Sequence, residues 1–276
     1  MIENIIQFSD NRSMLGVLTE PASPSSKQPA FIFVNSGLLH RIGPFRIYVS
    51  LARELAEHGY NAFRIDLSGK GDSEPRKNSA TINENVKLDI KEAMDQLQQS
   101  HGITHFVICG ICTGADNAYE VGFDDKRVVG IVPIDGYAYP NLKFKLRHYL
   151  PKLLSTNSWK NLLRKTLRLV NKKDQSLEQS NLTANYRMIF PPVDKFLGNL
   201  KSAVNDNKQL LVIYTGGWNQ FNNYQDQFSD CFPEVSQKPN IEVIYNNASD
   251  HTFILRKDKE WLIDKIITWS NKRFLE

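Results

Sequence analysis

Cysteine is scarce in this sequence: there are three, Cys109, Cys112 and Cys231. Three is too few, and an odd number, for a disulfide framework, so a reducing, cytoplasmic compartment is expected. Long apolar runs are lacking too. None approaches the roughly 20 residues that span a bilayer, and the opening Met1-Ile2-Glu3-Asn4 has no basic-then-apolar order of a secretory signal. Stable membrane insertion is therefore not expected. No repeat, low-complexity tract or nucleic-acid-binding motif is visible, and neither a metal nor a cofactor is expected. Acidic residues are absent from one stretch: between Gly136 and Lys173 stand ten Lys and Arg and no Asp or Glu, although the net charge of the whole chain is only +4. A one-sided block of this kind usually marks an interaction surface.

What is present fits one α/β domain. A chain of 276 residues, 41% apolar and 23% charged, can bury a generous core. Residues 1–8 and 13–19 read as a hairpin around Asp10-Asn11, and residues 30–35 as a continuously apolar strand covered on both faces. Helical spacing follows Gly43-Pro44 and recurs from Thr81 to Gln99. Further strands are expected at residues 60–65, 105–109, 127–134, 208–214 and 240–246, with a closing helix from Trp261 to Phe274. Such alternation predicts a mostly parallel sheet with helices on both faces. The alternation breaks over residues 137–207, where helical patches lie between Pro151, Pro191 and Pro192.

The stretch that carries chemistry is Gly110-Ile111-Cys112-Thr113-Gly114. It follows an apolar run and precedes a helix-compatible one, the strand–turn–helix setting of a nucleophile elbow, with cysteine in the usual place of serine. Glycines two residues before and after Cys112 meet a steric need, because the turn is strained and brings strand and helix backbones together. The sulfur then stands at a helix N-terminus, where the dipole favours a thiolate. Cys109-Gly110-Ile111-Cys112 also reads as a C-x-x-C, the form of a thioredoxin-like redox site. An inward-facing Cys109 on its strand weighs against that reading.

Three distant segments bear on the choice. Asp66-Leu67-Ser68-Gly69-Lys70-Gly71-Asp72-Ser73 ends the fourth strand, Asn35-Ser36-Gly37-Leu38-Leu39 ends the third, and Ser249-Asp250-His251-Thr252-Phe253 follows the last. Together with the elbow, and in this order, they resemble the α/β-hydrolase superfamily over nearly the whole chain. The likeness is closest to its bacterial, serine-aminopeptidase-like branch with a Gly-x-Cys-x-Gly elbow. That resemblance implies one α/β-hydrolase domain over residues 1–276, with a mostly parallel eight-stranded sheet and a helical lid, residues 137–207, inserted between strands six and seven.

It also implies roles. Cys112 is the expected nucleophile and His251 the base, being the one histidine in the loop after the last strand. His58 and His101 look like helix caps, and His105 starts a strand. For the acid that orients His251, Asp135 after strand six and Asp226 beyond strand seven stand level; Asp250 should diverge, and the amide of Asn222 is a further candidate orienter. The oxyanion donors should be the backbone N–H groups of Leu38 and Thr113. Ser36, His40, Tyr149 and Trp159 are expected to line the substrate, whereas Asp66 and Ser73 are read as structural.

The expected activity is hydrolysis of an ester or thioester through an acyl-cysteine intermediate. The alternative is an acyltransferase or eliminating lyase acting on a carrier-bound acyl group in secondary metabolism. A thiol redox protein and a non-catalytic binder are the competing classes. The basic, apolar-interleaved run from Lys143 to Lys173 suits an acyl chain borne by an anionic carrier, coenzyme A or an acyl carrier protein.

Overall fold

A computed structural model of the chain describes residues 1–23, 28–154 and 190–275. The opening hairpin is β1 (Ile2–Phe8) and β2 (Met14–Glu20), in antiparallel register from Ile2 opposite Glu20 to Phe8 opposite Met14. The other strands are β3 (Ala30–Val34), β4 (Ala62–Ile65), β5 (Phe106–Ile111), β6 (Val128–Ile134), β7 (Gln209–Thr215) and β8 (Ile241–Asn246). They make one sheet in the order β1-β2-β4-β3-β5-β6-β7-β8, antiparallel at β1–β2–β4 and parallel from β4 onward. All five residues of β3 are buried, as a strand covered on both faces requires.

The period of two along each strand divides the core into two layers. Phe31, Phe33, Val107, Ile111 and Ile213 pack under α1 (Ile47–Glu57) and the closing helix, while Ile32, Ile108, Ile131 and Val212 pack on the opposite face. That second face is covered by α2 (Ile82–His101) and α3 (Thr113–Asp124). A capping box starts α2: the Thr81 side chain accepts from the Glu84 N–H, and the Glu84 carboxylate accepts from the Thr81 N–H. His58 and Gly102 terminate α1 and α2, so the histidine-glycine pairs are helix ends as expected.

Between β6 and β7 the structure differs from the expected lid of residues 137–207. Helix α4 (Leu142–Leu154) lies in that range, but α5 (Val193–Asn205) is part of the core. Its Phe196, Leu200 and Ala203 are buried, and Phe196 meets the Tyr119 ring edge-on at 5.0 Å between centroids. The spacing of those three side chains gives one apolar face, so α5 is the crossover helix that carries the chain from β6 to β7. The patch around Trp159 lies outside the described residues.

Two short helices, α6 (Gln227–Cys231) and α7 (Pro233–Ser236), precede β8, and α8 (Arg256–Phe274) closes the chain. It starts five residues before the predicted Trp261, because its first turn is exposed at Arg256 and carries no apolar periodicity.

Candidate active site

The elbow forms as its glycines demand. Cys112 sits between β5 and α3 at φ 59°, ψ −121°, a backbone conformation that persists only where the surroundings impose it. A Cβ on Gly110 would lie 2.1 Å from the Gly114 carbonyl oxygen, and one on Gly114 would lie 2.8 Å from that of Val34. No side chain fits either position. The Cys112 N–H donates to Ile134 O at 2.9 Å, and the Ile111 N–H donates to the Tyr48 hydroxyl at 2.9 Å. Cys112 remains partly exposed, whereas Cys109 is fully buried and its thiol pKa is pushed up by desolvation. A dithiol exchange site needs an accessible pair of low-pKa thiols, and Cys109 is neither.

Of the two candidate acids, Asp135 is the one beside the histidine. His251 Nδ1 and Asp135 Oδ2 are 2.7 Å apart. Asp135 is fully buried at the end of β6, at φ 52°, and also accepts from the Thr215 N–H at 2.7 Å and from the Thr215 hydroxyl at 2.6 Å. Asp226 is instead exposed on the N-terminal side of α6, and its side chain makes no capping bond. The structure thus resolves the level choice between them: Asp135 is bonded to the ring, and no hydrogen bond or ion pair joins Asp226 to it. Asp250 diverges as expected, accepting from the N–H groups of Thr252 and Ile254. Asn222 spends its amide on Tyr224 O.

The imidazole is held on its flat face as well. Trp218 stacks on His251 with 4.7 Å between centroids and 14° between planes, and its Nε1–H donates to Gly136 O at 3.1 Å. Sequence reasoning passed over Trp218, and the adjacent Gly216-Gly217 was the available signal. A Cβ on Gly217 would fall 2.1 Å from the His251 backbone nitrogen, and one on Gly216 2.1 Å from Asn247 O. The end of β7 is bare so that the histidine loop can lie against it. Burial pulls the His251 pKa down, but the Asp135 hydrogen bond, then that of Cys112, and the charges of both raise it to about 9.

The loop after β3 is tied to the turn at Cys112. Gly37, at φ 57°, lies in a turn closed by the Leu39 N–H donating to Ser36 O at 3.0 Å, and the Gly37 N–H donates to the Thr113 hydroxyl at 2.8 Å. Among the described residues, neither the Leu38 nor the Thr113 N–H enters a turn or loop hydrogen bond.

Behind the loop, Asp66 is fully buried and accepts from the Arg41 N–H at 2.6 Å, from Asn35 Nδ2 at 3.0 Å and from the Asp72 N–H at 3.1 Å, with the Arg41 guanidinium ion-paired to it. Ser73 donates to Asp66 O at 2.7 Å. A Cβ on Gly71 would strike the Asp66 carboxylate at 2.3 Å, which explains that glycine. Asp66 and Ser73 are structural.

The expected substrate-lining residues scatter. Ser36 is buried, whereas His40 and Tyr149 are exposed, and Trp159 lies outside the described residues. Part of the basic block is engaged within the protein. Lys143 pairs with Asp230 at 3.2 Å and, like Arg147, sits over the Tyr224 ring. Among the described residues no cluster of three metal-ligating side chains occurs, and no helix is long and apolar enough to cross a membrane.

This geometry can be set beside known proteins. The family model of serine aminopeptidase, S33, matches residues 28–189, more than half the chain. The chain belongs to that family of hydrolases. Within the α/β-hydrolase fold it is similar to an esterase of Pyrococcus furiosus, Pf2001, at 14% identity and a TM-score of 0.61 over 100% of this chain and 91% of that one. It is also similar to the α/β hydrolase GrgF of Penicillium sp. sh18, at 13% identity and a TM-score of 0.59 over the whole of both chains. The esterase domain of a Rhodothermus marinus protein matches at 13% identity and a TM-score of 0.58, over 98% of this hydrolase and 99% of that chain. At such identities the likeness is one of fold. No protein of curated function matches the sequence significantly.

Proposed function

We propose that this α/β hydrolase cleaves an ester or thioester of a small-molecule acyl group, with Cys112 as nucleophile, His251 as proton carrier and Asp135 as its orienter. The observation that carries the reading is the Asp135–His251 hydrogen bond of 2.7 Å, together with the influence of Cys112 on the same imidazole. In the first step the Cys112 sulfur, its proton already on His251, bonds to the acyl carbon and the carbonyl π pair moves to oxygen. The N–H groups of Leu38 and Thr113 are the donors for that oxyanion. Collapse breaks the bond to the alkoxide or thiolate leaving group, which takes its proton from His251. In the second step His251 accepts a proton from water as the water oxygen bonds to the thioester carbon, and collapse breaks the carbon–sulfur bond, releasing the acid and the Cys112 sulfur with that proton left on His251.

The raised pKa of His251 suits this sequence. At about 9 the free enzyme holds an imidazolium, the acid the leaving group needs. Acylation removes the Cys112 contribution to that pKa, so the same ring becomes a better base for water. Cys112→Ala should abolish turnover of a short aryl ester or acyl thioester while the far-ultraviolet spectrum and melting temperature persist. Turnover retained in that variant rejects the assignment. Intact-mass measurement after incubation with acyl thioesters should add one acyl group at Cys112. Product analysis with and without an alcohol, amine or thiol acceptor separates hydrolysis from transfer.

A further inference from the structure

We propose that Trp218 is a positioning residue for His251: its indole face fixes the imidazole between Asp135 and Cys112 and favours the charged form of that ring. The inference rests on the acyl-chemistry reading above and adds the residue that prepares its proton carrier. The two rings are almost parallel, with 14° between planes and 4.7 Å between centroids. A cation within about 6 Å of an aromatic centroid is drawn to the electron-rich face, and tryptophan offers the strongest such face. A neutral imidazole carries no net charge for that face to attract. The stack therefore stabilises the protonated ring over the neutral one.

The indole is itself held from several sides. Trp218 is buried and ends the short helical turn Gly216–Trp218. Its Nε1–H donates to Gly136 O at 3.1 Å, and the Phe221 ring packs against it at 4.9 Å between centroids. Its carbonyl oxygen accepts from the N–H groups of Phe221 and Asn222, at 2.9 and 3.0 Å. Gly136 follows Asp135, so this one side chain joins the loop that carries the acid to the ring that the acid orients. From the same turn the Gly217 N–H donates to Ser249 O at 3.2 Å, two residues before the histidine. Indole and histidine loop are thereby tied to each other.

The groups around the imidazole define what the indole adds. Asp135, from the end of β6, bonds Nδ1, and Cys112, from the elbow, is the other group that raises the pKa of the ring. Asp250, its neighbour in the loop, turns its carboxylate to the N–H groups of Thr252 and Ile254. Tyr214 on β7 and Tyr245 on β8 feel the Asp135 charge but bond to Tyr137 O and to Asn247. Burial opposes the charge on the imidazole. An aliphatic side chain on its flat face would bury the ring and return nothing, whereas an indole covers it and offsets part of that cost. The charged ring is the acid that the leaving group needs, and with Nδ1 taken by Asp135 its Nε2 is left for Cys112.

Trp218→Phe and Trp218→Leu test the aromatic face. Both are smaller than tryptophan and both lose the Nε1–H tie, but only phenylalanine keeps a ring. The apparent pKa of His251, read from its Cε1–H resonance and assigned with His251→Gln, should be about 9 in the wild type. It should fall by about 0.5 to 1 pH unit in Trp218→Leu and by about half that or less in Trp218→Phe, the scale of a cation on an aromatic face. Water admitted beside a smaller side chain acts in the opposite direction, because it relieves the burial that lowers the pKa. A pKa that is unchanged or raised in Trp218→Leu, or lowered equally in both variants, overturns the proposal.

Should Trp218→Leu not fold, fluorescence decides without it. A protonated imidazole stacked on an indole quenches its emission, so wild-type emission should rise as His251 loses its proton. That step should be missing from Trp218→Phe, in which Trp159, Trp261 and Trp269 still emit, and from His251→Gln. Wild-type emission without the step, or a step that survives in Trp218→Phe, overturns the proposal. The alkaline limb of kcat/KM on an aryl ester should move in Trp218→Leu by the same amount as the pKa, since it follows loss of the imidazolium. A shifted pKa in an enzyme that turns over no ester would sink the acyl-chemistry reading and leave the action of Trp218 on His251 standing. Full turnover with no shift would do the reverse.

Discussion

The adjacent ends of β6 and β7 meet the histidine loop in opposite ways. Strand β6 ends in a carboxylate, Asp135, fully buried and bonded to Thr215 and His251. Strand β7 ends in Gly216-Gly217, which bring no side chain and let the His251 backbone pass where a Cβ would be 2.1 Å away. One strand supplies chemistry and its neighbour supplies space. Thr215 links them, since its N–H and hydroxyl hold the two oxygens of Asp135 in place. In this chain the loop rests on β7 and the charge comes from β6.

That division is open to attack from both sides. The largest effect is expected at the carboxylate: Asp135→Asn should lower kcat/KM on an aryl ester by about 10³-fold or more, the scale seen when the orienting acid of a triad loses its charge. Asp226→Asn, at the exposed start of α6, should change it by less than about twofold. Steady-state kinetics of the two variants decides between the strands, and the reverse order of effects would move the acid to the β7 side.

Gly217→Ala tests the space. A methyl group there must displace the His251 backbone, and a shift of about 1 Å in a reacting group costs about 10²-fold. Activity should fall by that order, with a lower melting temperature, while thiol labelling of Cys112 persists.

A smaller effect concerns pH. The folded-state pKa of His251 is raised from 6.5 to about 9. The stabilisation it contributes is therefore fully present below its unfolded value and is lost as pH rises through about 9. Because Asp135 causes much of that shift, the stability gap between wild type and Asp135→Asn should narrow from about pH 6 to about pH 10 in urea titrations. A gap that widens contradicts the ion pair.

The parts of this protein that are local in cause were readable from the sequence. The elbow is one: Gly110 and Gly114 are forced by backbone atoms within a few residues and one neighbouring strand. The succession of strands and helices along the chain follows from continuously apolar runs and helices of period 3.6. The Asp66 turn was readable as structural from its glycines, but of the partners of its carboxylate only the Asp72 N–H is local; Arg41 and Asn35 come from the segment after β3.

Where the reading stopped, the missing information was distance in the fold. The lid expected over residues 137–207 takes in Val193–Asn205, yet the apolar face of that helix meets α3. Trp218 carries no motif, and its interest arises from the imidazole stacked against it.

The sequence by itself determined that a cysteine would stand on a sharp strand-to-helix turn, and in which order strands and helices would surround it. Steric exclusion and side-chain periodicity act over a few residues and leave their mark in residue type. Only the tertiary structure decided which carboxylate faces the imidazole, because Asp135 and His251 are 116 residues apart. Their meeting depends on how two strand ends and one loop pack, and no local pattern encodes that choice.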